Sequence, residues 1–137
     1  MAGDSPFSRG GLPRLLIVDD SPTAIRLLQA IFKDDYDVVT ARDGIDGLAK
    51  VHHTRPDMII SDCVMPGSDG FALLGKIREN PATNKIPVII LTAEDPRHAP
   101  PREESDPQPD ALLLKSANPE PLMAEVARVL KSRLKRG

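Results

Sequence analysis

Five polar residues stand directly after short apolar runs at widely separated points of the chain. Asp19 and Asp20 follow the run LLIV, and Asp62 follows MIIS. Thr92 follows VIIL, and Lys115 follows LLL. Carboxylate oxygens suit hard cations, while a hydroxyl and an ammonium group can bind the oxygens of a phosphoryl group. Whether these residues act together depends on the elements that carry them.

The apolar runs alternate with segments of helical periodicity. Residues 15–18 form a continuous apolar run, which is typical of a strand covered on both faces. Further short runs predict strands at 38–39, 58–61, 88–91 and 112–114. Strands that alternate with helices in this way predict an α/β fold with right-handed crossovers and a doubly wound parallel sheet covered by helices on both faces.

The helices between these strands have recognisable starts. Ser21 and Pro22 begin the first helix, whereas Gly44 is predicted to form a turn before the second. Ser68 is predicted to cap the third helix, and Asn118 and Pro119 to open the last. The expected apolar positions, helix by helix, are Ile25, Leu28 and Phe32; Ile45, Leu48 and Val51; Phe71, Leu74 and Ile77; and Leu122, Met123, Val126, Val129 and Leu130, the last five facing inward.

The five polar residues are expected to meet, because the carboxyl ends of parallel strands lie at one edge of the sheet, where ligands bind. Three carboxylates in a small volume repel one another unless protons or a cation intervene. An all-oxygen site favours Mg²⁺ over zinc, for which paired Cys and His ligands are missing from the sequence.

One of the acids can also react. A carboxylate can accept a phosphoryl group covalently, and such transfer depends mainly on positioning and charge neutralisation. Asp62 is the predicted acceptor, because it is central and opens a turn whose N–H groups can face phosphate. Lys115 and Mg²⁺ would neutralise charge, and Thr92 would donate a hydrogen bond. The structural alternative is that these residues merely begin loops, where aspartate is common.

The segments LLIVDDSP, IISDCVMPGSDG, VIILTA and LLLKS resemble the receiver domains of bacterial two-component response regulators, and the likeness runs from about residue 14 to 134. The resemblance implies a flavodoxin-like (CheY-like) fold with a five-stranded sheet of order 2-1-3-4-5. It also implies that Asp62 accepts phosphate from a sensor histidine kinase or a phosphotransfer protein. Asp20, Asp62 and the backbone carbonyl of Val64 would ligate Mg²⁺, and Asp19 would act through water.

The sequence departs from that family pattern on one flank. Residues 94–110 contain five prolines and no large apolar residue, so they predict a proline-rich loop with the fourth helix degraded or missing. This would leave apolar surface for a partner or a second copy of the chain. Leu112 stands where receivers often carry an aromatic residue, and Ser116 where they generally carry proline.

Bulk features favour a single domain. We expect residues 1–13 to be a flexible lead-in and residues 14–137 to form one receiver domain. One cysteine, Cys63, excludes an internal disulfide framework and favours a reducing, cytoplasmic setting. No secretion signal or run of membrane-spanning length is present. The net charge is −2, although four basic residues lie near the carboxyl terminus: Lys131, Arg133, Lys135 and Arg136. The rest of the chain is therefore acidic, which disfavours nucleic-acid binding.

These features lead to one preferred function and two alternatives. We expect a stand-alone receiver, not an enzyme, in which phosphorylation of Asp62 changes the binding of an unknown downstream protein. The alternative is a receiver-like scaffold that binds partners through its proline-rich side whether or not it is phosphorylated. A hydrolase is disfavoured because no separate substrate pocket or water-activating base is evident. The sequence leaves open whether the chain forms a homodimer.

Overall fold

A computed structural model describes residues 11–65, 69–93, 103 and 105–132 in full, and the backbone of 133–136. Strands and helices alternate in these residues as predicted, up to the fourth strand. The strands are β1 (Arg14–Val18), β2 (Asp37–Ala41), β3 (Met58–Asp62), β4 (Val88–Thr92) and β5 (Ala111–Leu114). The helices are α1 (Pro22–Phe32), α2 (Gly44–Thr54), α3 (Gly70–Glu79) and α4 (Glu120–Arg136).

The five strands form one parallel sheet in the order β2-β1-β3-β4-β5, which confirms the predicted order. The winding direction reverses between β1 and β3, which lie side by side with Val18 opposite Ser61. The residues that follow, Asp19 and Asp62, therefore emerge next to each other. This is the position at which an open α/β sheet offers a ligand site.

Two hydrophobic clusters lie on the two faces of the sheet. Leu16 and Val18 of β1 belong to the cluster that includes residues of α2 and α3. Leu15 and Ile17 belong to the cluster that includes residues of α1 and α4. Full burial of an aliphatic side chain contributes about 1.5–3 kcal/mol, so the central strands form a firm frame for the residues at their ends.

The helix starts agree with the sequence in part. Ser21 caps α1 by accepting a hydrogen bond from the Ala24 N–H at 3.2 Å, as predicted. The predicted Ser68 cap of α3 is wrong: Asp69 caps this helix by accepting from the Ala72 N–H at 2.7 Å, and Ser68 lies outside the described residues. Serine and aspartate cap equally well, so the sequence could not separate two neighbours.

The predicted turn at Gly44 and one inward-facing residue are also wrong. Gly44 is the first residue of α2, because the preceding Asp43 caps the helix. Met123 is 39% exposed rather than inward, because Leu122 takes the sheet-facing position in the first turn of α4. Ile45 lies in α2 but is 82% exposed, since the buried stripe of that helix follows Gly44, Gly47 and Val51.

The segment between β4 and β5 was predicted to be a loop over residues 94–110. Residue 103 and residues 105–110 contain no helix, while 94–102 and 104 lie outside the described residues, so the loop as a whole stays a prediction. The described residues contain four helices, and none of them lies between β4 and β5. This fits the prediction that the helix expected between these two strands is degraded. Among the described residues, no helix has the length and apolar character needed to cross a bilayer.

Candidate functional site

Three carboxylates meet at the carboxyl end of the sheet. Asp19 and Asp20 follow β1, Asp62 ends β3, and one oxygen from each lies within 4.8 Å of the others. Asp19 is 2% exposed and Asp62 is 8% exposed, whereas Asp20 is open to solvent. Two of the acids are thus withdrawn from water beside a third at the surface.

Local hydrogen bonds hold Asp19 in place. Its backbone N–H donates to the Ala41 carbonyl at 3.1 Å, which extends the pairing of β1 with β2. Its Oδ1 accepts from the Ser21 N–H at 2.9 Å, just before Ser21 caps α1. The start of the helix and the end of the strand therefore fix the direction of this carboxylate.

Lys115 supplies the positive charge of the site. Its backbone N–H donates to the Thr92 carbonyl at 2.7 Å, which continues the β4–β5 ladder beyond the last strand residue. Its Nζ lies 3.2 Å from Asp62 Oδ1 and 3.3 Å from Asp19 Oδ2. One ammonium group thus joins two acids that belong to different strands.

Burial and neighbouring charges shift the pKa values of Asp62 and Lys115. Burial raises the pKa of Asp62, and Asp19 and Asp20 raise it further, while Lys115 opposes the shift. Burial is the largest single influence on Lys115 and lowers its pKa, but Asp19 and Asp62 together outweigh it, so the pKa is raised. Lys115 stays charged, and one cation does not fully compensate three acids.

The donor set fits the magnesium ion that the sequence predicted. Octahedral Mg²⁺ with bonds of about 2.1 Å places its ligand oxygens about 3–4 Å apart. One oxygen each of Asp19, Asp20 and Asp62 lies within 4.8 Å of the others, so small side-chain adjustments would bring them to that spacing. The exposed position of Asp20 leaves one side open to the waters that Mg²⁺ retains.

The junction between β3 and α3 contains two residues that sequence analysis missed. The buried Ser61 hydroxyl donates to the Asp62 carbonyl at 3.0 Å. Gly70 approaches the same carbonyl so closely that a Cβ there would lie 2.5 Å from the oxygen. The Gly70 N–H also donates to the Cys63 carbonyl at 2.8 Å. The only sequence sign was a glycine after a potential helix cap, which does not reveal a close approach.

The remaining predicted residues lie around this cluster. Thr92 ends β4, in register with Leu114. The Val64 side chain is exposed just beyond β3, and the role of its carbonyl as a magnesium ligand stays a prediction. Leu112 packs against the cluster on the α2 and α3 face, and Ser116 is exposed after Lys115.

Two curated proteins are similar in sequence to part of this chain. The chain is 44% identical over 85 residues to the response regulator PleD of Caulobacter vibrioides, a match of 61% of this chain but 19% of PleD. It is 41% identical over 85 residues to protein PilH of Pseudomonas aeruginosa, covering 61% of this chain and 70% of PilH. The chain thus spans about a fifth of PleD and most of PilH.

Solved structures share the fold. The chemotaxis response regulator CheY4 of Vibrio cholerae superimposes with a TM-score of 0.77 at 33% identity, over 86% of this chain and 98% of that one. Response regulator TrrA of Thermotoga maritima was solved in complex with Mg²⁺ and BeF. It superimposes with a TM-score of 0.73 at 30% identity, over 84% of this chain and 96% of TrrA. The sequence model of the response regulator receiver domain family matches residues 15–127, and the chain belongs to that family.

Proposed function

We propose that this chain is a phosphoacceptor in two-component signalling and that Asp62 takes its phosphoryl group from a sensor histidine kinase or a phosphotransfer protein. The observation that carries the proposal is the position of the Lys115 ammonium, 3.2 Å from Asp62 Oδ1, within the cluster of three aspartates. Receiver domains are signalling modules rather than enzymes in the usual sense, so the expected output is a change in binding.

The transfer can be written with the groups at hand. An Asp62 oxygen attacks the phosphorus of a phosphohistidine whose other ring nitrogen carries a proton. The P–N bond breaks, and its electron pair stays on the leaving nitrogen, so that neutral imidazole is released. The product is an acyl phosphate on Asp62. Such a transfer needs positioning and neutralisation of the phosphoryl oxygens more than proton transfer. Lys115, whose Nζ lies 3.2 Å from Asp62 Oδ1, is proposed to bind one of these oxygens, and the Thr92 hydroxyl is proposed to donate to another.

Asp20, Asp62 and the Val64 carbonyl are the proposed Mg²⁺ ligands, with Asp19 acting through a bound water. Mg²⁺, when bound, neutralises charge on the transferred phosphoryl group. Asp19 is proposed to have a second task without the metal: its Oδ2 lies 3.3 Å from Lys115 Nζ and so helps to orient the ammonium beside Asp62. The complex of TrrA with Mg²⁺ and BeF supports magnesium binding by this chain through similarity.

Phosphorylation would change the surface beside Thr92 and Lys115. New contacts from these residues to the phosphoryl oxygens would favour one of two pre-existing conformations, as in other ligand-driven switches. The β5 position at which receivers often carry an aromatic switch residue is occupied here by Leu112, which is half-buried against the core. We therefore expect the output to pass through movement of β5 and its neighbours rather than through rotation of a ring.

The test is incubation with Mg²⁺ and acetyl phosphate followed by intact-mass measurement. The wild-type protein should gain one phosphoryl group, and Asp62→Asn should gain none. Asp69→Asn is the matched control, because Asp69 is a neighbouring carboxylate outside the cluster and asparagine caps a helix as well as aspartate does. Failure of the wild type to gain mass would contradict the proposal and favour the phosphorylation-independent scaffold.

A further inference from the structure

The strand that carries Lys115 is weakly held by packing. β5 is the edge strand next to β4, its residues 111–113 are half-buried and Leu114 is exposed, while β3 is buried throughout. Lys115 itself borders a cavity of about 460 Å³ between α1, β5 and the start of α4. Apolar burial therefore constrains the position of this strand less than that of the central strands β1, β3 and β4.

Polar contacts at the opposite end of β5 are much tighter. Asp110 stands immediately before the strand, and its backbone N–H donates to the Val88 carbonyl at 2.8 Å. Its Oδ2 accepts from the Val88 N–H at 2.8 Å. Both backbone groups of the first β4 residue are thus bonded to one residue, so the start of β5 is fixed relative to the start of β4.

Arg78 extends this attachment to α3. Its Nη2 donates to Asp110 Oδ2 at 3.1 Å, and its Nη1 donates to the Ile86 carbonyl at 2.6 Å and the Asn84 carbonyl at 3.2 Å. Both charged side chains are partly shielded from solvent. A shielded pair is screened less by salt than an exposed one. The end of α3, the loop before β4 and the start of β5 are joined by one guanidinium group.

Register at the start of the strand decides where Lys115 lies at its end. In the observed register Ala111 is opposite Ile89 and Leu114 is opposite Thr92. A slip of one residue would move Lys115 by about 3.3 Å and direct its side chain to the other face of the sheet. Its contacts with Asp62 and Asp19 would then be lost.

From this geometry we infer that Asp110 and Arg78 are positioning residues that hold β5 in register and thereby place the Lys115 ammonium at Asp62. The inference rests on the proposed phosphoacceptor function. It adds to that function two residues at the opposite end of the sheet from the reacting atoms. Neither residue contacts the phosphoryl group.

The test uses beryllium fluoride in the presence of Mg²⁺ as a probe of the phosphorylated state, measured by calorimetry on the full chain. Asp110→Ala should weaken beryllium fluoride binding by about tenfold, the loss expected when one charge-assisted hydrogen bond is misplaced. Mg²⁺ binding measured without beryllium fluoride should not weaken, because Lys115 is not a metal ligand and its displacement removes a competing positive charge. Asp110→Asn keeps an acceptor for the Val88 N–H and should restore most of the affinity.

The matched control is Asp37→Ala. It removes a similar ion pair, Arg14 to Asp37 at 2.9 Å, from the opposite edge of the sheet. If Asp110 acts through Lys115, then Asp110→Ala should have no further effect on beryllium fluoride binding in a Lys115→Ala background. Should Asp110→Ala fail to fold, Arg78→Gln carries the same comparison.

Equal weakening by Asp37→Ala, or an undiminished effect of Asp110→Ala in the Lys115→Ala background, would overturn the inference. If the wild-type protein binds beryllium fluoride and Asp110→Ala binds it equally well, the inference fails while the proposed function stands. If the wild type does not bind beryllium fluoride at all, the proposed function fails, and the inference with it.

Discussion

The Lys115 ammonium lies between Asp62 and Asp19, 3.2 Å from one carboxylate oxygen and 3.3 Å from the other. It therefore provides part of the positive charge that the acidic cluster needs. A divalent cation would provide the rest at the side where Asp20 is exposed. Stability, metal affinity and reactivity of this site are consequently linked through the same few charges.

Lys115→Ala should lower the melting temperature in metal-free buffer, because two buried carboxylates lose their shared counter-charge. The same variant should bind Mg²⁺ several-fold more tightly, since a competing positive charge has been removed. Thermal unfolding with EDTA and with a Mg²⁺ titration measures both effects. Lys115→Arg, which keeps the charge, is the control, and weaker Mg²⁺ binding by Lys115→Ala would contradict the electrostatic account.

Asp62→Asn should stabilise the metal-free protein, and the gain should grow with pH. Burial and the neighbouring acids raise the pKa of Asp62 above its unfolded value, despite Lys115. The folded state therefore favours the protonated form of Asp62 over the ionised form. The free energy of unfolding decreases as pH rises through the raised pKa. Urea unfolding should show little difference between variant and wild type near pH 4 and a larger one at pH 7. A wild type that is more stable than the variant at pH 7 in EDTA would refute this reading.

Asp20→Asn should reduce the stabilisation that Mg²⁺ gives to the wild-type protein. A ligand that binds only the folded state at 100 times its Kd adds about 2.7 kcal/mol to the free energy of unfolding, so most of that shift should disappear. Differential scanning fluorimetry across Mg²⁺ concentrations measures it. Asp69→Asn should keep the full wild-type shift, because Asp69 caps α3 and is not in the cluster; a similar loss in both variants would argue against a defined site.

Gly70→Ala should destabilise the protein by about 1–3 kcal/mol, because its Cβ would lie 2.5 Å from the Asp62 carbonyl oxygen and the backbone would have to shift. Phosphorylation of Asp62 should slow in parallel. Gly75→Ala, in the same helix, is the matched control: nothing lies within 4 Å of its Cβ, so it should stabilise by about 0.5–1 kcal/mol. Chemical denaturation distinguishes the two, and equal effects would mean that the close approach is easily relieved.

Cys63 should react slowly with a thiol reagent in the folded protein. Its side chain is buried, and burial, followed by Asp69 and Asp62, raises the pKa of its thiol. The thiolate, which is the reactive form, is therefore scarce at pH 7. Absorbance with a disulfide reagent should show fast labelling only after addition of denaturant. Rapid labelling of the native protein would contradict this expectation.

The fold and the membership of the candidate site followed from the sequence because both depend on local patterns. Short apolar runs predict buried strands, and the residue that ends such a run is delivered to one edge of a parallel sheet whatever the details of packing. The meeting of Asp19, Asp20 and Asp62 therefore required only the correct strand order. The roles assigned to these residues stay predictions until phosphorylation and metal binding are measured.

The tertiary structure decided contacts between residues that are distant in sequence. Lys115 pairs with two acids rather than one, Gly70 touches the Asp62 carbonyl, and Asp110 bonds both backbone groups of Val88. Distances of this kind depend on how strands and helices pack, and no spacing along the chain reports them. The sequence by itself determined which groups reach the end of the sheet, while only packing determined their distances and the charge balance between them.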